Sequence, residues 1–499
     1  MPRGELAIVL HTHMPYVEGG GEWPPRPVRE YMEVHGCDFA KAAAEASFEP
    51  NLEGFGSWPF GEEWLWEAAA TSWLPLLRVF DELGPEQSRE KLTLSLTPVL
   101  CDQLEAPGTA ERCVAFLRTV RAETHRLEIE EFVGQRELVG ELERSAAEYA
   151  AAADMLEALE AAGGLTTALG RHARWTSSAT HAILPLLALD ESIELQVRVG
   201  IESHRHRFGE WEGGFWLPEC AHASWLAGPL TEAGVHATCV ELTRLLGHGG
   251  TSNLKPLRRS EGPTLVPIDR AIIELVWGEH GYPAHPAYRD SHHRSRYHHR
   301  LWANDGSVYD AARAHRQAAD DARDFISAVR DRVSGGGLCV CALDSELLGH
   351  WWYEGPLWLA AVITEAQRQG LTLTTLDADA IARHAVAAAD MHLPPSSWGA
   401  GGDFRTWSAP AVADLAWQAR RAELRTFGEQ HAMPSSRALR ELLALQSSDW
   451  AFLAHRGWAG DYPRQRASGH AAQLARALTG ETEEQHLRNL APFLEAGYS

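Results

Sequence analysis

The sequence predicts an α/β protein whose parallel strands close, or nearly close, into a barrel, with a helical insertion and a C-terminal helical domain. Three observations carry this expectation. Short apolar, β-branched runs alternate with helical stretches, which implies a parallel sheet with crossover connections. The runs are too many for a small open sheet. Polar motifs fall where the runs end, and chemistry gathers at that end of a barrel.

The elements follow in chain order. "LAIVL" before His11 reads as the first core strand. "KLTLSLTPVL" at 91–100 reads as a second, ending near Asp102. Residues from about 109 to 162 are rich in Ala, Glu, Arg and Leu and should be helical, with Gly163 and Gly164 ending the run as a C-cap. "HARWTSSATH" forms a third strand, ending near His181. "SIELQVRVGIESHRHRF" is helical, and "GGFWLPE", "HATCVEL", "PTLVPID", "GGLCVCALD" and "LTLTTLD" continue the strand series. "HLPPSSWGAGGDF" at 392–404, dense in Pro, Ser and Gly, reads as a linker. "ALRELLALQ" and "AAQLARAL" mark a helical C-terminal domain. The expected division is a barrel over 1–108 and 163–395, an inserted helical subdomain over 109–162, and the C-terminal domain over 396–499.

Composition narrows the partners. The chain has 499 residues, 45% of them hydrophobic, enough for a large core and more than one domain. Its net charge of −23 repels phosphate backbones, so nucleic acid is an unfavourable partner. No apolar run is long enough to span a bilayer. The N-terminal stretch is too short for a secretory leader, so a cytoplasmic location is expected. The seven cysteines form no CxxC pair and read as buried thiols of a reducing compartment. Tryptophan outnumbers phenylalanine, 19 to 14, and several tryptophans stand beside polar motifs. Flat aromatic faces in a polar cleft suit sugar rings, although large aromatic anchors in the core explain tryptophans equally well.

Three constellations carry chemistry. In "GGFWLPECAH" an apolar strand stops on Glu219, and in "CALDSELLGHWWYEGP" another stops on Asp344. Two carboxyls at the mouth ends of two strands suit glycoside chemistry, one as nucleophile and one as acid/base. Such a pair needs different pKa values, which aromatic walls and histidines can arrange. His11 and His13 alternate at the end of the first strand and point to one side. They read as substrate contacts, as structural groups, or as zinc ligands completed by His181 and Asp344 in a metal-dependent hydrolase. The run "DSHHRSRYHHR" at 290–300 reads as a solvated loop, because its arginines oppose a metal. "SWGAGGDFRTW" could cover the barrel mouth, and "QSSDW" puts Asp449 and Trp450 on or beside a C-terminal helix.

Taken together, "HTHMPYV", "WLPECA", "LDSELLGHWWYEGP", "SSATHAILPLL", "WPFGEEWLWEA", "VWGEHGYPAHPAYRD", "SSWGAGGDFRTW" and "QSSDW" resemble glycoside hydrolase family 57, and within it the 1,4-alpha-glucan branching enzymes. The resemblance implies an incomplete (β/α)7 barrel with a helical insertion and a C-terminal helical domain. It implies Glu219 as nucleophile, Asp344 as general acid/base, and His11 and His13 along the donor site. Trp277, Trp407, Trp352 and Trp450 would stack on or position the substrate, with Asp449, Asp102 and His181 in the same cleft. It also implies no metal, no cofactor, and an α-1,4-glucan as substrate. One departure concerns the outcome. Branching members carry a longer, tyrosine-containing loop before the "VW…HGYP" motif, and the corresponding span at 242–277 has no tyrosine. Water exclusion decides the fate of a glycosyl intermediate. Hydrolysis as an α-amylase, or α-1,4 transfer as a 4-α-glucanotransferase, therefore stays open beside branching. A glucan-binding protein without turnover is a further alternative.

Overall fold

Strand β1 (Glu5–Thr12) is buried along all but its first residue and organises the molecule. The structure, a computed structural model, describes residues 4–17, 62–388, 391–428, 434–457, 459–481, 487 and 489–496. Cys37 and the start of "WPFGEEWLWEA" lie outside these residues. On one side β1 pairs in parallel with β2 (Leu92–Leu96), which pairs with β3 (Ala173–Ser177), which pairs with β4 (Phe215–Trp216). On the other side β1 pairs in parallel with β8 (Leu338–Asp344) and touches β9 (Thr372–Leu373). A second sheet holds β5 (Ala237–Val240), β6 (Leu257–Arg258), β7 (Thr264–Pro267) and β10 (Val386–Ala387). A single bridge, Gly214 to Ala237, joins β4 to β5, and Asp269 N–H donates to the Val340 carbonyl to join the end of β7 to β8. Among the described residues seven strands, β1 to β5, β7 and β8, thus surround a core, with two seams reduced to isolated contacts. This is the expected incomplete (β/α)7 barrel.

The strands read as continuous apolar runs because both faces are covered. Leu338 to Leu343 in β8 are all buried, and Cys339 and Cys341 pack within that core as inert thiols. Helix Asp190–Phe208 returns over β3, and Gly200 allows the approach, since a Cβ there would lie 2.0 Å from the Ser177 carbonyl oxygen.

Residues 109–160 form helices Thr109–Ala115, Ala122–Glu131 and Arg136–Glu160, linked by a π-turn at Phe116–Arg121. At the C-terminal end, helices Ala413–Phe427, Ser436–Leu445, Ser448–Arg456 and Tyr462–Leu478 share a core that also takes in Tyr16 and Val99 from the barrel mouth. Ser435 and Ser447 cap two of these helices through side-chain oxygens. No described helix is long and apolar enough to cross a membrane.

The run at 290–300 differs from the solvated loop the sequence suggested. His299 and Ser295 are buried, the His299 ring lies 3.7 Å from that of His125, and Tyr297 N–H donates to Glu128. The inserted helices clamp the loop, a long-range effect that loop composition cannot reveal. Among the described residues no group with metal-ligand geometry falls there.

Candidate active site

All barrel strands around β1 run the same way, so their C-terminal ends share one mouth. Register fixes the levels: His11 on β1 faces Ser95 on β2 and Asp344 on β8. Asp344 is the last residue of β8 and opens to the cleft. Lost solvation pushes its carboxyl up to about 6.

Glu219 reaches the same space from β4. Its backbone has φ of +58° inside the tight turn Pro218–Cys220, and Cys220 follows at +49°. A non-glycine residue in the left-handed region costs about 1–3 kcal/mol and persists only where its surroundings impose it. Here Trp398 imposes it twice. Trp398 N–H donates to the Glu219 carbonyl at 2.9 Å, and its indole Nε1–H donates to Glu219 Oε2 at 2.6 Å. Burial and then the negative Asp344 push Glu219 up to about 8, against the pull of the indole. With Glu219 raised to about 8 and Asp344 to about 6, the two carboxyls together hold one proton near neutral pH.

A third carboxyl lies beside them. Glu346 is buried and accepts from Trp73 Nε1–H at 2.8 Å and from His13 N–H at 3.1 Å. Burial, then Asp344, pushes it up to about 7.

The histidines form a stacked layer under this mouth. The His13 ring lies 4.0 Å from that of His181, and His11 packs 5.1 Å from His181 and 4.8 Å from Trp216. His11 Nε2 and His181 Nε2 are 3.1 Å apart, so one donates and the other accepts. His181, at φ of +58°, meets Ser448 Oγ through Nδ1 at 2.9 Å. His13 Nε2 donates to both oxygens of Asp449 at 3.1 Å. Burial, then the neighbouring rings, holds His11 and His181 well below the usual imidazole range. Burial also opposes charge on His13, but Asp449, Glu346 and Asp344 together outweigh it and raise its pKa. The same burial is overcome at Asp449, whose carboxylate His13 holds below its ordinary value. The C-terminal helices thus complete the site by delivering Ser448 and Asp449.

Several expected contacts need correction. His11 and His181 are buried, so His13 alone of the three rings reaches the open cleft, and the other two position it. Trp352 and Trp450 are 1% exposed and Trp407 is 3% exposed, so none offers a free face to a sugar. Trp352 packs on Tyr288 and Trp358, and Trp450 donates to the Ala444 carbonyl. Trp407 lies under Gly399, where a Cβ would come within 2.8 Å of its ring. Asp102 lies away from the carboxyl pair. It is six residues past β2, on the turn of helix Pro98–Leu104 that faces the C-terminal tail, bound to Arg207 at 2.7 Å and to Ala491 N–H at 2.8 Å. Trp277 is 56% exposed at the end of helix Arg270–Trp277, whose Arg270 donates to the Trp398 carbonyl at 3.4 Å. It remains free to stack.

Two residues outside the expected set, Trp398 and Glu346, belong to the site. Trp398 lies where the expected linker overlaps the stretch expected to cover the barrel mouth. That stretch is bound to the site, because Ser396 bridges His222 and Trp398 grips Glu219. Glu346 follows Asp344 by two residues, and that spacing was the available signal. The ligand atoms of His13, His181 and Asp449 all lie within 4.8 Å of one another. A cation there would have to displace the His13–Asp449 hydrogen bonds.

The model of glycosyl hydrolase family 57 matches residues 174–390, which hold Glu219 and Asp344, and the C-terminal model of 1,4-alpha-glucan branching enzymes matches 417–492, which hold Asp449. A probable 1,4-alpha-glucan branching enzyme of Mycobacterium tuberculosis is 32% identical over 85% of this chain and 88% of its own length. A 1,4-alpha-glucan branching enzyme of Thermococcus kodakarensis is 27% identical over 95% of this chain and 73% of its own. Among solved structures, a family 57 branching enzyme from Pyrococcus horikoshii superposes with a TM-score of 0.81 at 27% identity, covering 99% of this chain and 94% of its own. The α-amylase AmyC of Thermotoga maritima shares the fold, with a TM-score of 0.72 at 21% identity over 99% of this chain and 96% of its own. The chain belongs to glycosyl hydrolase family 57, in company with its 1,4-alpha-glucan branching enzymes.

Proposed function

We propose that the chain is a retaining 1,4-alpha-glucan branching enzyme with Glu219 as nucleophile and Asp344 as general acid/base. The observation that carries this is the carboxyl pair itself: one member held by an indole N–H, the other open to the cleft, both raised by lost solvation. A glucan entering the cleft strips water from Asp344 and raises it further, while Glu219 keeps its donor. The proton then rests on Asp344.

Glu219 attacks the anomeric carbon as Asp344 protonates the glycosidic oxygen, and the fragment on the reducing side leaves. The glycosyl ester on Glu219 has inverted configuration. Asp344, now ionised, takes the proton of an acceptor 6-hydroxyl. That oxygen displaces Glu219 with a second inversion, so the new α-1,6 bond retains the configuration of the old α-1,4 bond. His13, drawn towards its charged form and fixed by Asp449, donates to a donor-sugar hydroxyl, and Trp277 offers a stacking face further out. The described cysteines are free and buried, which fits a reducing cytoplasm.

Hydrolysis or α-1,4 transfer is the second reading, favoured by the openness of Asp344 and the tyrosine-free span at 242–277. The retaining mechanism has its own test. Asp344→Asn incubated with a maltooligosyl fluoride should add one glycosyl mass to the Glu219 peptide. Absence of the adduct, together with wild-type turnover in Glu219→Gln, would refute the assignment.

A further inference from the structure

Two arginines near the site have no use in the reaction described. Arg294 and Arg300 are half-buried in the clamped loop, beside the inserted helices. Arg300 donates to the His350 carbonyl at 2.6 Å, and Arg294 Nε makes only a 3.4 Å contact to the Ser291 carbonyl. Among the described residues neither has a carboxylate within ion-pair distance. Glu67, whose charge favours both guanidinium ions, is itself bound to Arg121 at 2.9 Å. Glu63 is pushed well above the carboxylate range by burial and then by Glu67, and so adds no charge. The surrounding histidines do not compensate either, since burial and these arginines keep His298 and His350 neutral. Burial, and for Arg300 the charge of Arg294, lowers both guanidinium pKa values, that of Arg300 to about 10. Half-buried cations with no direct ion-pair partner among the described residues are costly to keep unless something pairs with them.

Their position relates them to the reaction. Consecutive residues of the π-turn Ala69–Trp73 hold the segment that follows Asp344. Thr71 meets His350 Nδ1 at 3.3 Å, Ser72 donates to the Ser345 carbonyl at 2.8 Å, and Trp73 donates to Glu346. Gly349 permits this, since a Cβ there would lie 1.9 Å from the Thr71 carbonyl oxygen. Arg300 continues the same wall at His350, whose ring lies 5.3 Å from the half-buried ring of Trp351, and Arg294 is near enough for its charge to act on both Arg300 and His350. In a retaining transfer the acid/base side of the cleft receives first the leaving group and then the acceptor.

We propose that Arg294 and Arg300, with Trp351 beside them, form an acceptor subsite for a glucan bearing an oxyanion, a carboxylate or a phosphate monoester. The proposal rests on the branching reading above. Guanidinium forks match either oxyanion in a bidentate way, and an aromatic face beside them takes the sugar. A neutral glucan has no need of them. The overall charge of −23 would repel an anionic chain, but at physiological salt charges beyond about 8 Å are screened, so the local cations decide.

The test supplies amylose as donor and maltoheptaose as acceptor in two forms, the neutral alditol and the aldonate, and compares kcat/KM for branch formation. Charge-assisted bonds to one oxyanion predict a preference for the aldonate of at least about tenfold. The preference should fall with added salt, survive in part in Arg294→Lys, and collapse in the Arg294→Gln, Arg300→Gln double variant. The ratio within each enzyme is the readout, so a general loss of activity does not imitate the effect. Equal use of the two acceptors by the wild type, or a preference that persists in the double variant, would overturn the proposal. So would modulation by free inorganic phosphate with no preference between acceptors. Failure to branch either acceptor would instead sink the branching reading, and this proposal with it.

Discussion

Trp398→Phe isolates one hydrogen bond at the centre of the account. The substitution keeps an aromatic ring against Trp216, 5.1 Å away, and keeps the backbone bond to Glu219. It removes the indole donor that lies 2.6 Å from Glu219 Oε2. A hydrogen bond to a charged group contributes about 1.5–3 kcal/mol. At 1.36 kcal/mol per pKa unit, the ionised form of Glu219 loses about 1–2 units of stabilisation. The sign follows directly: the indole favours the carboxylate, so its loss raises the pKa of the pair. The nucleophile must be ionised, so the acidic limb of the rate profile should move to higher pH by about 1–2 units. At neutral pH, kcat/KM should fall by about 10- to 100-fold. The assay is the initial rate of loss of amylose–iodine absorbance across the pH range, with thermal unfolding as a control. An unshifted limb with a rate within about twofold of wild type would refute the idea that Trp398 sets the ionisation of Glu219.

Three further outcomes follow from the same geometry. Glu219→Gln should abolish turnover yet fold normally. Because the folded pKa of Glu219 is raised, the native carboxyl loses stability as pH rises from about 4.5 to about 8, so the variant's advantage in unfolding midpoint should grow over that window; a lowered midpoint at pH 8 would contradict this. Asp449→Asn should weaken the largely buried His13 pair by about 3–5 kcal/mol and depress activity; chemical denaturation and rate assays that both match wild type would show the pair to be dispensable. Chelator treatment should leave turnover unchanged, whereas loss of activity restored by zinc would identify His13, His181 and Asp449 as a metal centre.

The strand ends were legible because an apolar run that halts on a carboxylate is a local pattern. Glu219 and Asp344 stood out for that reason, and parallel pairing brings both to one mouth. The barrel and the helical stretches were legible from periodicity. Burial of individual tryptophans was not. Trp277 and Trp352 look alike in the sequence, yet one is 56% exposed and the other 1%, because tertiary packing alone decides. Asp102 seemed to end a strand, but the chain had already turned into a helix. The role of Trp398 was hidden by Gly, Ser and Pro, which signal a loop without saying what the loop grips. The clamped loop at 290–300 was obscure for a similar reason, since its partners lie about 170 residues earlier in the chain, as in the pair Glu128 and Tyr297, |i−j| = 169.

A sugar hydroxyl, rather than water, is expected to resolve the intermediate on Glu219. Amylose incubated with the enzyme, then debranched and analysed by chain length beside a reducing-end assay, measures this directly. New α-1,6-linked chains with few new reducing ends are predicted. New reducing ends without α-1,6 links would contradict the claim and make the protein an amylase.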